Sequence, residues 1–137
     1  MRRIVIGWTV VWLGVITGVL GAEDLSWEEI SGGNHNLQAI LVSPQNNKII
    51  FVGRAGNILK SEDEGKSWRS VLAIRSGMRS INDLSADSIN YNIVYAATDN
   101  GLYRSSNLGG RWERIFRGKN NLESQCRAVI SSSSAIF

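Results

Sequence analysis

The chain has 137 residues, 43% of them hydrophobic and 20% charged, with a formal net charge of +3 and a single cysteine. That length suits about one domain. One cysteine excludes an internal disulfide, and the small net charge argues against a polyanion-binding protein.

Arg2 and Arg3 precede an uncharged apolar run from Ile4 to Leu20, followed by small Gly21 and Ala22 and acidic Glu23 and Asp24. A basic start, an apolar core and a small-residue exit read as a secretory signal peptide over residues 1–22. The run is longer than a usual signal core, so an uncleaved anchor is the alternative, and it would be the chain's one link to a membrane. Either way the expected location is secreted, periplasmic or cell-surface. Taking Arg2 and Arg3 from the 15 basic side chains leaves 13 against 12 acidic ones, a net charge of +1. That leaves no electrostatic case for nucleic acid. The basic cluster of Arg111, Arg114, Arg117 and Lys119 reads as an exposed strand face and loop. Cys126 reads as a buried thiol, or as half of a pair whose partner lies elsewhere.

Residues 23–36 hold a short strand, Leu25–Ile30, and a turn at Ser31–Asn34. Residues 37–80 hold four strands: Leu37–Val42, Ile49–Val52, Ile58–Ser61 and Ser67–Leu72. Pro44, Asn46 and Asn47 break the first pair, because proline presets φ and asparagine tolerates positive φ. Residues 81–124 repeat the order with strands at Ile81–Ser85, Ile93–Ala97, Leu102–Ser105 and Trp112–Phe116. Asp99-Asn100-Gly101 is the middle turn. Residues 125–137 begin a third copy at Arg127–Ile130, with a turn from Ser131 and a further strand opening at Ile136. No helical period occurs.

The repeat is plainest in the stretch Ser61-Glu62-Asp63-Glu64-Gly65-Lys66-Ser67-Trp68, which returns as Ser105-Ser106-Asn107-Leu108-Gly109-Gly110-Arg111-Trp112, 44 residues later. Four antiparallel strands per unit at a period of ~40–50 residues is the signature of a β-propeller blade. A lone blade exposes both faces, and stacking neighbours around an axis buries them. In the loop, Asp63 can accept backbone N–H bonds, Gly65 and Gly109 can supply positive φ, and Trp68 and Trp112 can cover the base with apolar area. Asn107 can accept the same bonds without charge. The expected fold is therefore all-β, a partial propeller with a structural loop in each blade.

The pattern Ser-x-Asp-x-Gly-x-x-Trp resembles the Asp-box, or BNR, repeat. That repeat occurs in sialidases, sortilin-type receptor domains, xyloglucan-cleaving propeller hydrolases and photosystem II assembly factors, which do unrelated things. The resemblance implies that Ser61, Asp63, Gly65 and Trp68, with Ser105, Asn107, Gly109 and Trp112, are structural, in a loop between third and fourth strands away from the ligand face. Gly53–Ile58 looks like the assembly-factor repeats. Thr98–Arg104 is similar to a segment of the xyloglucan-cleaving propellers in which the Asp is catalytic, which makes Asp99 the one candidate for chemistry. Its second acid in that family comes from a distant repeat that this chain does not contain. The strand at Trp27–Ile30 looks like Trp112–Ile115, which suits a strand closing the last blade of a ring.

Other chemistry lacks support. His35 is the only histidine, in a polar turn, and no triad or Cys/His metal spacing accompanies it. Glu62-Asp63-Glu64 lacks the alternating ligands of an EF-hand loop. No cofactor or metal is implied. Two whole blades fall short of the about four to eight of a closed ring. The expected chain is thus an N-terminal fragment, with self-assembly of several copies as the alternative. The function expected is a non-enzymatic exported binding or assembly scaffold for a protein or glycan ligand. The alternative is the N-terminal part of a polysaccharide hydrolase.

Overall fold

A computed structural model describes residues 37–75 and 80–132. The signal segment, the closing strand near Trp27, His35 and the strand expected at Ile136 lie outside the described residues. Eight strands form two antiparallel sheets. The first runs in the order β1 (Leu37–Val42), β2 (Ile50–Arg54), β3 (Asn57–Ser61) and β4 (Arg69–Ala73). The second runs in the order β5 (Ile81–Ala86), β6 (Val94–Thr98), β7 (Gly101–Ser105) and β8 (Trp112–Phe116). The first three strands of the two units match position for position at an offset of 44, and the fourth starts one residue earlier in the second unit. Even their register shifts recur, between Leu37 and Ala39 and again between Ile81 and Asp83, and between Ile58 and Leu59 and again between Leu102 and Tyr103. Bulges placed identically in each copy belong to the blade's twist rather than to chance.

Local bonding explains where strand limits differ from expectation. β2 extends to Arg54 because Arg54 still pairs with Asn57, leaving a two-residue Ala55-Gly56 turn with Gly56 at φ 74°. β4 starts at Arg69 instead of Ser67, because Asp63 accepts both the N–H and the hydroxyl of Ser67 and keeps it in the loop. The third copy is not a strand over Arg127–Ile130. Its Val129 N–H donates to Asp83 Oδ2 at 2.9 Å, and only Ser131, expected in a turn, makes an isolated bridge.

The sheets stack face to face. Side chains alternate along a strand, so Phe51 and Gly53 of β2 point at the second sheet. They join Ile58, Ile74, Ile81, Leu84, Val94 and Ala96 in the core. Gly53 permits the close approach: a Cβ there would lie 2.5 Å from Ile81 Cγ2. Tyr95, the counterpart of Phe51, packs with Ala97 and Val129 on the far face of the second sheet. Each blade thus hands one aromatic ring to its successor. Gln38 adds a polar link by accepting the Ile81 N–H at 3.2 Å. Its counterpart Asn82 donates to the Cys126 carbonyl at 2.7 Å. On β1, Leu37, Ile40 and Val42 remain exposed, since no blade precedes the first among the described residues.

Phe51→Ala is expected to destabilise the protein by about 3–5 kcal/mol, the range for emptying a buried aromatic site. Urea denaturation should show the lowered midpoint. A cost near zero would mean that the two blades do not depend on one another.

Candidate functional site

The antiparallel order divides the blade into two ends. The β1–β2 and β3–β4 loops share one end with their equivalents in the second blade. The β2–β3 and β6–β7 hairpins lie at the other, with the connections between blades. The sixty-series and hundred-series loop residues fall at the first end and Asp99 at the second.

At the first end a serine organises the loop. Ser61 is buried where β3 stops, and its hydroxyl accepts the N–H groups of Asp63 at 3.3 Å and Gly65 at 2.8 Å. The same hydroxyl donates to Asp63 Oδ1 at 2.8 Å. Asp63 then reaches forward, accepting the Ser67 N–H on Oδ1 at 2.8 Å and the Ser67 hydroxyl on Oδ2 at 2.6 Å. Glu64 N–H closes the loop onto the Lys48 carbonyl. The second copy repeats this. Ser105 Oγ accepts from Asn107 and Gly109 and donates to Asn107 Oδ1 at 3.1 Å. Asn107 Oδ1 accepts the Arg111 N–H at 2.7 Å, and Leu108 N–H reaches the Asn92 carbonyl. The amide thus keeps the serine bond and the bond from the backbone N–H four residues on. It lacks the hydroxyl bond, because Arg111 stands in place of Ser67.

These bonds hold Asp63 far below its ordinary value. The Ser67 hydroxyl contributes most, then the Ser67 N–H and the Ser61 hydroxyl, and together they bring its pKa from 3.8 to about 2. Gly65 and Gly109 take positive φ (91° and 83°), as expected. The residues before them do too: Glu64 at 65° and Leu108 at 53°. A left-handed leucine is unfavourable by itself, and it persists because Leu108 packs against the core. No composition signal marked that position. Gly109 has a second reason to be glycine, since a Cβ there would come within 2.6 Å of Phe51 Cε1 on the first blade. The indole nitrogens of Trp68 and Trp112 are buried without an acceptor among the described residues, so both rings serve through area rather than polarity.

At the second end, Asp99 and Asn100 form the two-residue turn between paired Thr98 and Gly101. Buried Thr98 fixes it, with Oγ1 accepting the Asn100 N–H at 3.0 Å and donating to the Gly101 carbonyl at 2.7 Å. Asp99 Oδ1 accepts Asn82 Nδ2 at 2.8 Å, and its N–H donates to the Ser80 carbonyl. Beside it, Arg114 Nη1 donates to the carbonyl and the side-chain oxygen of Asn100, at 3.2 and 3.0 Å, while its guanidinium lies 6.0 Å from the Tyr103 ring centre. Asn100 Nδ2 in turn reaches Tyr103 Oη. Hydrolysis of a glycosidic bond uses two carboxyl groups, and the partners of Asp99 include no second one. Cys126 is half-buried beside this end, where burial pushes its thiol pKa up. Among the described residues, no three His, Cys, Asp or Glu side chains gather as a metal site.

Comparisons with known proteins speak to the fold. A scan against protein-family models finds no match, and neither does a search of curated proteins. Solved structures do match. An ancestral GH74 enzyme is 25% identical at a TM-score of 0.57, over 64% of this chain and 14% of that one. The GH74 enzyme of Niastella koreensis is 24% identical at 0.55, over 69% and 16%. The extracellular domain of a B. thetaiotaomicron protein described as a one-component system is 18% identical at 0.57, over 79% and 14%. The fold is a partial β-propeller. Its two blades span only 14–16% of the length of these neighbours.

Asp63 has a depressed folded pKa. Its stabilisation is therefore complete above its ordinary 3.8 and lost as pH falls towards about 2. Asp63→Asn should flatten the acid limb of a stability–pH profile in that window. Glu62 and Asp87, also lowered by hydrogen-bonded partners, should leave part of the slope. Gly109→Ala should cost about 2–4 kcal/mol, from positive φ plus overpacking of Phe51, as read by thermal melts.

Proposed function

We propose that the protein is an exported, non-enzymatic scaffold built from Asp-box repeats, which binds a protein or glycan ligand. One observation carries this reading: the sole candidate for chemistry is used to hold the fold. Asn82 Nδ2 bridges Asp99 Oδ1 and the Cys126 carbonyl at 2.8 and 2.7 Å, so Asp99 ties its own turn to the start of the next unit. That structural use of Asp99 supports the scaffold reading, as does the lack of a second carboxyl group among its partners. The repeated serine-centred loops support the Asp-box assignment, and the extracellular domain among the structural neighbours supports export.

A second reading has its own support, the 25% identity to an ancestral GH74 enzyme. On that reading the chain is part of a polysaccharide hydrolase, and Asp99 is one of two acids.

Incubation of the full chain with a panel of soluble glucans, followed by reducing-sugar assay, separates the two. The scaffold reading expects no turnover, and a loss of about 1 kcal/mol of stability in Asp99→Ala from the missing hydrogen bond. Turnover abolished by Asp99→Ala would establish the hydrolase instead.

A further inference from the structure

Asn100 is the one asparagine of the sequence that is followed by glycine. Asparagine is a chemically labile residue. A following glycine makes it more so, because no Cβ crowds the approach of the Gly101 nitrogen to the Asn100 side-chain amide. Asn57 shows the contrast, since β-branched Ile58 follows it. Asn100 is half-buried at the tip of its hairpin, so water has access to the turn.

Against that tendency stands a hold on both ends of the amide. Asn100 Oδ1 accepts Arg114 Nη1 at 3.0 Å, and Nδ2 donates to Tyr103 Oη at 3.3 Å. Arg114 Nη1 also donates to the Asn100 carbonyl at 3.2 Å, which ties down the backbone of the same residue. The guanidinium is itself seated 6.0 Å from the Tyr103 ring centre. In the first blade the equivalent positions are Gly56, Leu59 and Ser70, which cannot form this arrangement. The asparagine and its two holders therefore enter the second blade together.

We propose that Asn100-Gly101 is a slow self-modification site, gated by Arg114 and Tyr103. When the hairpin tip opens and releases the amide, the Gly101 nitrogen attacks Asn100 Cγ. The new C–N bond closes a cyclic imide as the Cγ–Nδ2 bond breaks. The Gly101 nitrogen gives up its proton, and Nδ2 leaves as ammonia. Water then opens the ring at either carbonyl, giving aspartate, or isoaspartate with Gly101 linked through the side-chain carbon. Water is the only co-reactant, and nothing is oxidised or reduced. Isoaspartate lengthens the turn by a methylene, which displaces Gly101 from its pairing with Thr98 and loosens the Asp99 tie to Asn82. The modification thus sets a lifetime for the link between the second blade and the unit after it. It concerns that lifetime rather than ligand binding, so its failure leaves the scaffold reading standing.

Incubation of the folded full chain at neutral pH and body temperature over weeks tests the proposal. Mass mapping of the tryptic peptide spanning residues 80–104, with fragmentation, places any amide-to-acid conversion. Conversion should accumulate at Asn100 with release of ammonia, and an isoaspartyl methyltransferase should label part of the product. Arg114→Gln removes a charge-assisted hydrogen bond at an exposed position and should speed conversion on the order of tenfold. Tyr103→Phe, which loses only the hydroxyl, should speed it less. Arg117→Gln, at a nearby exposed position, should change nothing, which separates the hold on Asn100 from a general loss of stability. In guanidinium chloride, the unaltered chain and Arg114→Gln should convert at one shared rate, faster than the folded protein. The proposal is overturned if Asn100 does not convert, or if folded and unfolded chains convert alike. It is equally overturned if Arg114→Gln converts no faster than Arg117→Gln.

Discussion

A buried serine hydroxyl at the end of each third strand sets the geometry that the blades depend on. It has one proton to give and two lone pairs to offer, and all three are used. In each loop it accepts two backbone N–H groups and donates to the Asp or Asn two residues on. That fixes a left-handed pair at Glu64-Gly65 and Leu108-Gly109, which no local preference would choose. Fixing the pair places Gly109 against Phe51, and Phe51 against the second sheet. A local polar arrangement thus decides where one blade's apolar ring meets the next.

The two repeats also act as each other's control. What they share, the serine, the glycine, the tryptophan and the bulges, describes how a blade is built. Where they differ, the blade leaves room for something else. At the serine-loop end, Glu62 pairs with buried Lys60 in the first unit, while the second unit carries Ser106 at the same place. At the hairpin end, Ala55, Gly56, Leu59 and Ser70 become Asp99, Asn100, Tyr103 and Arg114, a hydrogen-bonded polar group on the same scaffold. Repeat architectures separate the two kinds of residue in this way because each unit meets the same neighbour geometry.

Much of the fold was legible because a period of 44 and alternating apolar positions are local signals. Strand order, hairpin positions and the hydrogen-bonding role of Asp63 and Asn107 followed from residue types and spacing, whereas the role of Ser61 as the centre of the loop did not. Phe51 could be assigned to a strand, but not to contact with Gly109, since the contact joins residues 58 positions apart on different blades. The third copy was misread as a strand because an apolar run signals extension, not pairing. Among the described residues no strand pairs with it, and the Val129 N–H donates to Asp83 instead.

The sequence by itself determined the unit: a four-stranded blade, repeated, with a loop whose polar atoms satisfy one another. Those are interactions within eight residues, or between strands joined by short turns, and local chemistry suffices to specify them. Tertiary structure alone decided what each exposed or half-exposed side chain is used for. Asp99 became a link between units because Asn82 comes within 2.8 Å of it, and Lys60 became a buried cation because a neighbouring sheet covers it. A carboxylate or an ammonium reads the same in any sequence. Its role follows from which donors, acceptors and rings the fold brings within a few ångströms, and that information lies in the packing of one blade on another.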